Sequence, residues 1–185
     1  MGTAVLSTRT GATLWLTGLP SAGKSTRARE LARRLGGRRS AVEVLDGDAL
    51  RAELSPDLGF GRADRELQIR RVGFLARRLA AHGVLAVVPV IAPYAAAREL
   101  VRRAHGADGV PYLEVHVATS LDTCRARDVK GLYARARAGR LTGLTGVDDP
   151  YEAPSAPDLR LVTEQRGTDE CVDDLLGLLR RKGLR

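Results

Sequence analysis

The sequence predicts an α/β domain built on a five-stranded parallel sheet with helices on both faces. Short apolar runs alternate with longer amphipathic stretches five times along the chain, the pattern of repeated strand–helix units. The run Val84–Val90 is almost continuously apolar, as a strand covered on both faces must be. The 185 residues, 44% of them hydrophobic, fit one soluble globular domain over 1–185, long enough to bury a core without disulfide or metal staples.

Thr13–Thr17 reads as the first strand and Val42–Leu45 as the second. Val84–Val90, Tyr112–Val117 and Leu159–Val162 supply the other three. Between them, Lys24–Leu35 follows a glycine turn as a helix. Asp64–Ala81 carries Leu67, Val72, Leu75 and Leu79 near helical spacing, with Asp64 as the expected N-cap. Tyr94–Ala104 and Leu121–Arg127 form shorter helices, and Thr168 is the expected cap of a last helix carrying Val172, Leu175, Leu176 and Leu179. Residues 129–157 break the pattern. They hold Gly131, Gly139, Gly143, Gly146, Pro150, Pro154 and Pro157, with a turn or two of helix around Leu132–Arg137. Inside a compact domain such a segment is a functional lid or a linker; its Lys, Arg, Tyr, Asp and Thr content favours the lid.

Gly18-Leu19-Pro20-Ser21-Ala22-Gly23-Lys24-Ser25 fits G-x-x-x-x-G-K-[ST] directly after a strand and before a helix. Glycines there let several backbone N–H groups converge on one phosphate, and the helix adds its positive end. Lys24 is placed for β/γ-phosphates and the Ser25 hydroxyl for Mg²⁺. The fold class sharpens to a three-layer P-loop NTPase or kinase fold. GTPase base-reading motifs are not apparent, and a motor or transporter needs a larger chain, so a small kinase fits the length best.

Asp46-Gly47-Asp48 closes the second strand, where catalytic groups of parallel sheets gather. One carboxylate can support the metal while the other accepts a proton from an attacking hydroxyl; the plain alternative is a turn in which Asp caps the helix from Ala49. Arg51, Arg65, Arg70 and Arg71 follow, with the planar fork that matches phosphate or sulfate. Phe60, between Gly59 and Gly61, is either a platform for a purine face or a buried hydrophobic anchor.

The net charge is +8, and all but Lys24, Lys130 and Lys182 of the 30 basic residues are Arg. They are scattered as pairs (Arg33-Arg34, Arg38-Arg39, Arg70-Arg71, Arg77-Arg78, Arg102-Arg103, Arg180-Arg181), and aromatics make up only 4%. Solvated surface and an anionic small ligand are favoured over nucleic acid, which needs an interleaved stacking surface. Cys124 and Cys171 lack metal or disulfide spacing and read as packed thiols in a reducing cytoplasm. His82, His105 and His116 are isolated and read as structural or surface residues. No apolar run is long enough to span a membrane. Met1-Gly2 opens neither a signal peptide nor, with Leu6 in place of Ser or Thr, a myristoylation site.

GLPSAGKST, LDGDALR, LGFGRADRELQIRR, RDVKGLYARARAG and GLTGVDDPYEAP resemble, in order, the successive motifs of adenylylsulfate (APS) kinases over about Leu14–Pro154. That resemblance implies transfer of the γ-phosphate of MgATP to the 3′-hydroxyl of adenylylsulfate, giving 3′-phosphoadenylylsulfate. It assigns ATP contacts to Gly18–Thr26 and Arg127, proton acceptance to Asp48, and the metal to Ser25 and Asp46. Arg51 and Arg65 match acceptor arginines, Phe60 the aromatic on its adenine, Ile91 a backbone contact, and Lys130 a lid cation that reaches the phosphates. A homodimer and a separate sulfurylase upstream are also implied, with no sulfurylase fused within these residues.

Four positions depart from the family pattern. Leu144 stands for the usual Phe on the second adenine face, Gln68 for Asn, Thr142 for a common Lys, and Ala92 for a frequent Ser, which removes any phosphoserine there. The first three bear on acceptor recognition and leave the ATP machinery intact. They keep a second reading open, a kinase of the same fold acting on another small hydroxyl acceptor. The retained Asp46, Asp48, Lys24 and Ser25 argue against a non-catalytic nucleotide binder.

Overall fold

The computed structural model describes residues 11–36 and 41–184; the Arg38-Arg39 pair, Met1-Gly2 and Leu6 lie outside them. The strands are β1 (Ala12–Thr17), β2 (Val42–Val44), β3 (Leu85–Pro89), β4 (Tyr112–Val117) and β5 (Leu159–Leu161). The helices are α1 (Lys24–Gly36), α2 (Gly47–Leu54), α3 (Arg62–Ala81), α4 (Ala95–Ala107), α5 (Leu121–Arg127), α6 (Leu132–Arg137) and α7 (Thr168–Arg181). All strand pairs are parallel, in the order β2-β3-β1-β4-β5.

The period-2 alternation of β1 serves both faces of the sheet. Leu14 and Leu16 enter one core with Ala28 and Leu31 of α1 and Leu175 and Leu178 of α7. Trp15 enters the other, with Ile69, Val72 and Ala76 of α3 and Ala97 and Val101 of α4. β3 divides likewise, Val87 to the first core and Ala86 and Val88 to the second, so the expectation of a strand covered on both faces holds. No helix among the described residues is long and apolar enough to cross a membrane.

Four expectations are corrected. The N-cap of α3 is Gly61, and Asp64 lies within the first turn, where its charge favours the helix dipole. The N-cap of α7 is Gly167, with Thr168 already helical; Glu170 Oε2 accepts from the Gly167 N–H at 2.8 Å and closes that end. The buried stripe of α3 is Gln68, Ile69, Val72, Gly73, Ala76 and Ala80, with Leu67, Leu75 and Leu79 only half-buried. Small residues prevail because α4 approaches closely: a Cβ added at Gly73 would meet Val101 Cγ2 at 2.6 Å. The helix expected from Tyr94 begins at Ala95, with Tyr94 as its N-cap.

His105 is fully buried, bonded to Thr13 Oγ1 at 2.9 Å and the Val101 carbonyl at 2.8 Å, a structural histidine as expected. Both cysteines are free and buried. The solvated reading of the arginines fails at two places. Arg98 is 4% exposed and pairs with Glu114 of β4 at 2.9 Å; Arg27 is also 4% exposed and donates to the Gly23 carbonyl.

Candidate active site

β1 delivers the chain to the phosphate loop at the carboxyl edge of the sheet. Gly18 passes so close to β4 that a Cβ would meet the Val117 carbonyl at 2.6 Å, and Gly23 has φ +89°, a turn that L side chains rarely adopt. The loop's carbonyls are engaged from behind. Tyr133 OH donates to the Pro20 carbonyl at 3.0 Å, and Thr119 Oγ1 to that of Ala22 at 3.0 Å. Lys24 Nζ donates to the carbonyls of Gly18 and Leu19 at 2.8 and 2.7 Å. With no acidic residue in the first turn of α1, its N-terminus keeps its positive field for an anion. Ser25 and Thr26 lie in that first turn, half-buried and exposed respectively. Arg127 spans from the Ala22 carbonyl to Thr163 at 3.4–3.5 Å, beside the loop.

Lys24 is 8% exposed. Burial is the main cause of its depressed pKa, lowered to about 8; Lys130 adds to the depression, while Cys124 and Asp48 oppose it.

At the end of β2, Asp46 N-caps α2: its Oδ1 accepts from the Asp48 N–H at 3.1 Å and its Oδ2 from Arg29 at 3.1 Å. The turn-capping reading is therefore met by Asp46. Asp46 shapes the turn, whereas the Asp48 carboxylate is 75% exposed and ion-paired with Lys130 of the lid. Asp48, Lys130 and Lys24 thus share one electrostatic neighbourhood.

Phe60 is 66% exposed, so the buried-anchor alternative is excluded. Arg51 donates to the Gly59 carbonyl at 2.8 Å and lies over the Phe60 ring at 4.6 Å. Arg65 Nε donates to the Phe60 carbonyl at 2.7 Å, and its other nitrogens reach Thr145 Oγ1 at 3.1 Å and the Gly143 carbonyl at 2.6 Å. These arginines make a cationic rim around an aromatic platform. Arg71 does not join it, because Asp57 holds its guanidinium through two bonds at 2.7 and 3.0 Å.

Gln68 is 5% exposed, and neither atom of its amide has a partner within the protein. A buried amide left unpaired is costly. The Ile91 carbonyl accepts from Thr17 Oγ1. Ala92, next along, has φ +45° and is held by Arg98 donating to its carbonyl at 2.7 Å.

Leu144 is placed differently from the open cleft expected of an adenine-facing residue. It is 6% exposed and belongs to the core cluster that includes Tyr133 and half-buried Leu19, Leu121 and Leu132. The segment 129–157 carries the expected short helix as α6 and is otherwise irregular, but its tip is organised: Asp148 accepts from the N–H groups of Gly143 and Leu144 at 2.7 and 2.6 Å. A cavity of about 420 Å³ lies at the ends of β4 and β5 between Leu19, His116, Tyr151 and Arg160. It shares Leu19, Val117 and Thr119 with the residues above.

Tyr133, Thr119 and Thr145 were not singled out by sequence reasoning. Tyr133 belongs to the KGLY string, a usable signal. Thr145 belongs to the GLTG string in the same way, whereas Thr119 carries no signal, because its partner Ala22 is remote in the chain.

A phosphate loop at the carboxyl edge of an all-parallel sheet, with a carboxylate across that edge paired to Lys130, defines a P-loop phosphotransferase. The sequence model of the adenylylsulphate kinase family matches residues 10–162. A Myxococcus xanthus adenylyl-sulfate kinase is 49% identical over 174 residues, 94% of each chain. The bifunctional enzyme NodQ of Azospirillum brasilense is 49% identical over 181 residues, 98% of this chain and 29% of NodQ. The structure of a Mycobacterium tuberculosis APS kinase, CysC, in complex with AMPPNP and APS superposes with a TM-score of 0.89 at 45% identity, covering 92% of this chain and 98% of that one. The chain belongs to the adenylylsulphate kinase family.

Proposed function

We propose that the chain is an adenylylsulfate kinase, transferring the γ-phosphoryl group of ATP to the 3′-hydroxyl of adenylylsulfate. The observation that carries this reading is the exposed Asp48 carboxylate ion-paired with lid Lys130, close in charge to buried Lys24. Asp48 accepts the hydroxyl proton as the oxygen attacks phosphorus. The bond from Pγ to the β–γ bridging oxygen breaks and ADP departs, its growing charge stabilised by Lys24 and the α1 N-terminus. Gly18–Thr26 cradle the triphosphate, and Arg127 flanks the ATP base. Arg51 and Arg65 hold the sulfate–phosphate end of the acceptor, Phe60 stacks on its adenine, Gln68 bonds its polar edge, and Ile91 supplies a backbone contact. Lys130 moves to the phosphates as the lid closes.

The donor chemistry suits Mg²⁺. The Ser25 hydroxyl and Asp46 carboxylate are hard oxygen ligands, and no cluster of three or more His, Cys, Asp or Glu exists among the described residues to bind a metal without substrate. Bound there, Mg²⁺ neutralises phosphate charge. The same reading takes the chain as a homodimer supplied by a separate sulfurylase.

ADP release in a coupled assay, dependent on adenylylsulfate and giving 3′-phosphoadenylylsulfate, is the expected result. Absence of product under saturating MgATP overturns the proposal. The second reading, another small hydroxyl acceptor, is favoured by Leu144, which is turned into the core and leaves Phe60 without a second aromatic. An acceptor panel separates the two. If the lid residue does face adenine in the closed state, Leu144→Phe adds a stack and lowers the KM for adenylylsulfate by about 5-fold or more. An unchanged KM assigns Leu144 to the core alone.

A further inference from the structure

Tyr94 caps α4 at the end of the Ile91–Pro93 loop and is 2% exposed. Its hydroxyl donates to Asp149 Oδ1 at 2.8 Å. The other oxygen of that carboxylate accepts from Thr145 Oγ1 at 3.3 Å, and the same Thr145 oxygen accepts from Arg65 at 3.1 Å. Donors and acceptors run in one direction: with its proton committed to Asp149, the Thr145 hydroxyl presents a lone pair to the guanidinium. Thr145 is fully buried and Tyr94 nearly so, while Asp149 and Arg65 are half-buried.

Both ends of the chain are anchored. The base under Tyr94 is fixed by Arg98, which donates to the Ala92 and Glu152 carbonyls at 2.7 Å each, and by Glu152 N–H bonding the Pro93 carbonyl at 2.8 Å. The tip of the lid is closed by Asp148 and by the Gly146 N–H on the Asp149 carbonyl at 2.7 Å. Arg62 lies over the Tyr94 ring at 4.5 Å, one turn before Arg65.

We propose that Tyr94 is a positioning residue for acceptor recognition, acting through Asp149 and Thr145 to fix the lid tip and aim the Arg65 guanidinium. The inference rests on the acceptor reading above. Removing the Tyr94 hydroxyl leaves the Asp149 carboxylate short of a donor, so it turns and takes the Thr145 hydroxyl with it. Arg65 then loses one of its three tethers, while the phosphate loop, whose Leu19 packs against the tip at Gly146, keeps its own bonds to Tyr133, Thr119 and Lys24.

Tyr94→Phe and Thr145→Val keep the side-chain volume and remove the bonds. Each raises the KM for adenylylsulfate about five- to tenfold, the scale of one net intramolecular hydrogen bond, with kcat and the ATP KM unchanged. The double variant is no worse than the poorer single one, because both cut the same chain, and Thr145→Ser restores the wild-type KM. Additive effects, a parallel rise in the ATP KM, or an unchanged acceptor KM overturn the proposal. A second readout needs no substrate. In the protein alone, Tyr94→Phe accelerates amide exchange at residues 143–149 about tenfold or more, and leaves α3 and the phosphate loop protected. Should the wild-type protein not turn over adenylylsulfate, the functional reading falls by itself, and unchanged exchange in the lid tip then overturns the brace.

Discussion

Asp48→Asn lowers kcat by about 10²–10⁴, the range for a lost general base, and leaves the dissociation constant for ATP within about a factor of two. The amide matches the carboxylate in shape but cannot take the acceptor's proton. Nothing else in the fold depends on that charge. The side chain is 75% exposed, and α2 is capped by Asp46, which uses only the backbone N–H of Asp48. The thermal midpoint therefore stays within a degree or so, since the one interaction lost, with Lys130, is an exposed ion pair worth little. Asp46→Asn serves as the contrasting control. It weakens a cap and an ion pair with Arg29, so its effect divides between stability and metal-dependent binding. Steady-state ADP release at saturating substrates, beside calorimetric ATP titration, separates the two variants. Turnover of Asp48→Asn within tenfold of wild type removes Asp48 from the proton-transfer role.

Local signals in the sequence were enough to locate the sheet and the phosphate loop. Tyr112–Val117 occupies its predicted bounds, and the other strands differ by a residue or two at an end, because alternation and apolar runs are encoded within a few residues. Long-range placement is what went unread. The α3 face that turns inward is set by the close approach of Val101 to Gly73, a contact 28 positions away by number, and so the leucines that looked like its core flank it. Leu144 occupies an aromatic's place in the motif, yet an aliphatic side chain of that size is accommodated in the cluster with Tyr133. Gln68 reads in the sequence as a conservative change; its burial without a partner within the protein depends on the packing of α3 and has no local signal. The arginine pairs invited a uniform solvent-facing reading, whereas Arg98 joins β4, the Ala92 turn and the base of the lid.

Lys24→Met has two effects of opposite sign. Turnover falls by about 10³ or more, as expected when a preorganised cation is taken from a developing phosphate charge, yet the free protein becomes more stable at neutral pH. The ammonium is held at 8% exposure, and burial lowers its pKa from 10.5 to about 8. That difference corresponds to a cost of about 3 kcal/mol for keeping the group charged in the fold at pH 7. The bonds to the Gly18 and Leu19 carbonyls that methionine cannot make offset about half of this, leaving a gain of about 1–2 kcal/mol. The sign with pH follows from linkage. Because the folded pKa lies below the unfolded one, the cost is fully present below pH 8 and is relieved as pH rises from 8 to 10.5. The advantage of Lys24→Met in thermal midpoint is therefore largest at neutral pH and shrinks across that window. Nucleotide binding runs the other way: above pH 8 the free enzyme must take up a proton to present an ammonium to the triphosphate, so ATP affinity falls by up to about tenfold per pH unit. Calorimetric titration at pH 9 in two buffers of different ionisation enthalpy reads that proton directly. If binding takes up none, or if Lys24→Met melts below wild type at pH 7, Lys24 is not the buried, depressed ammonium on which this account of the loop depends.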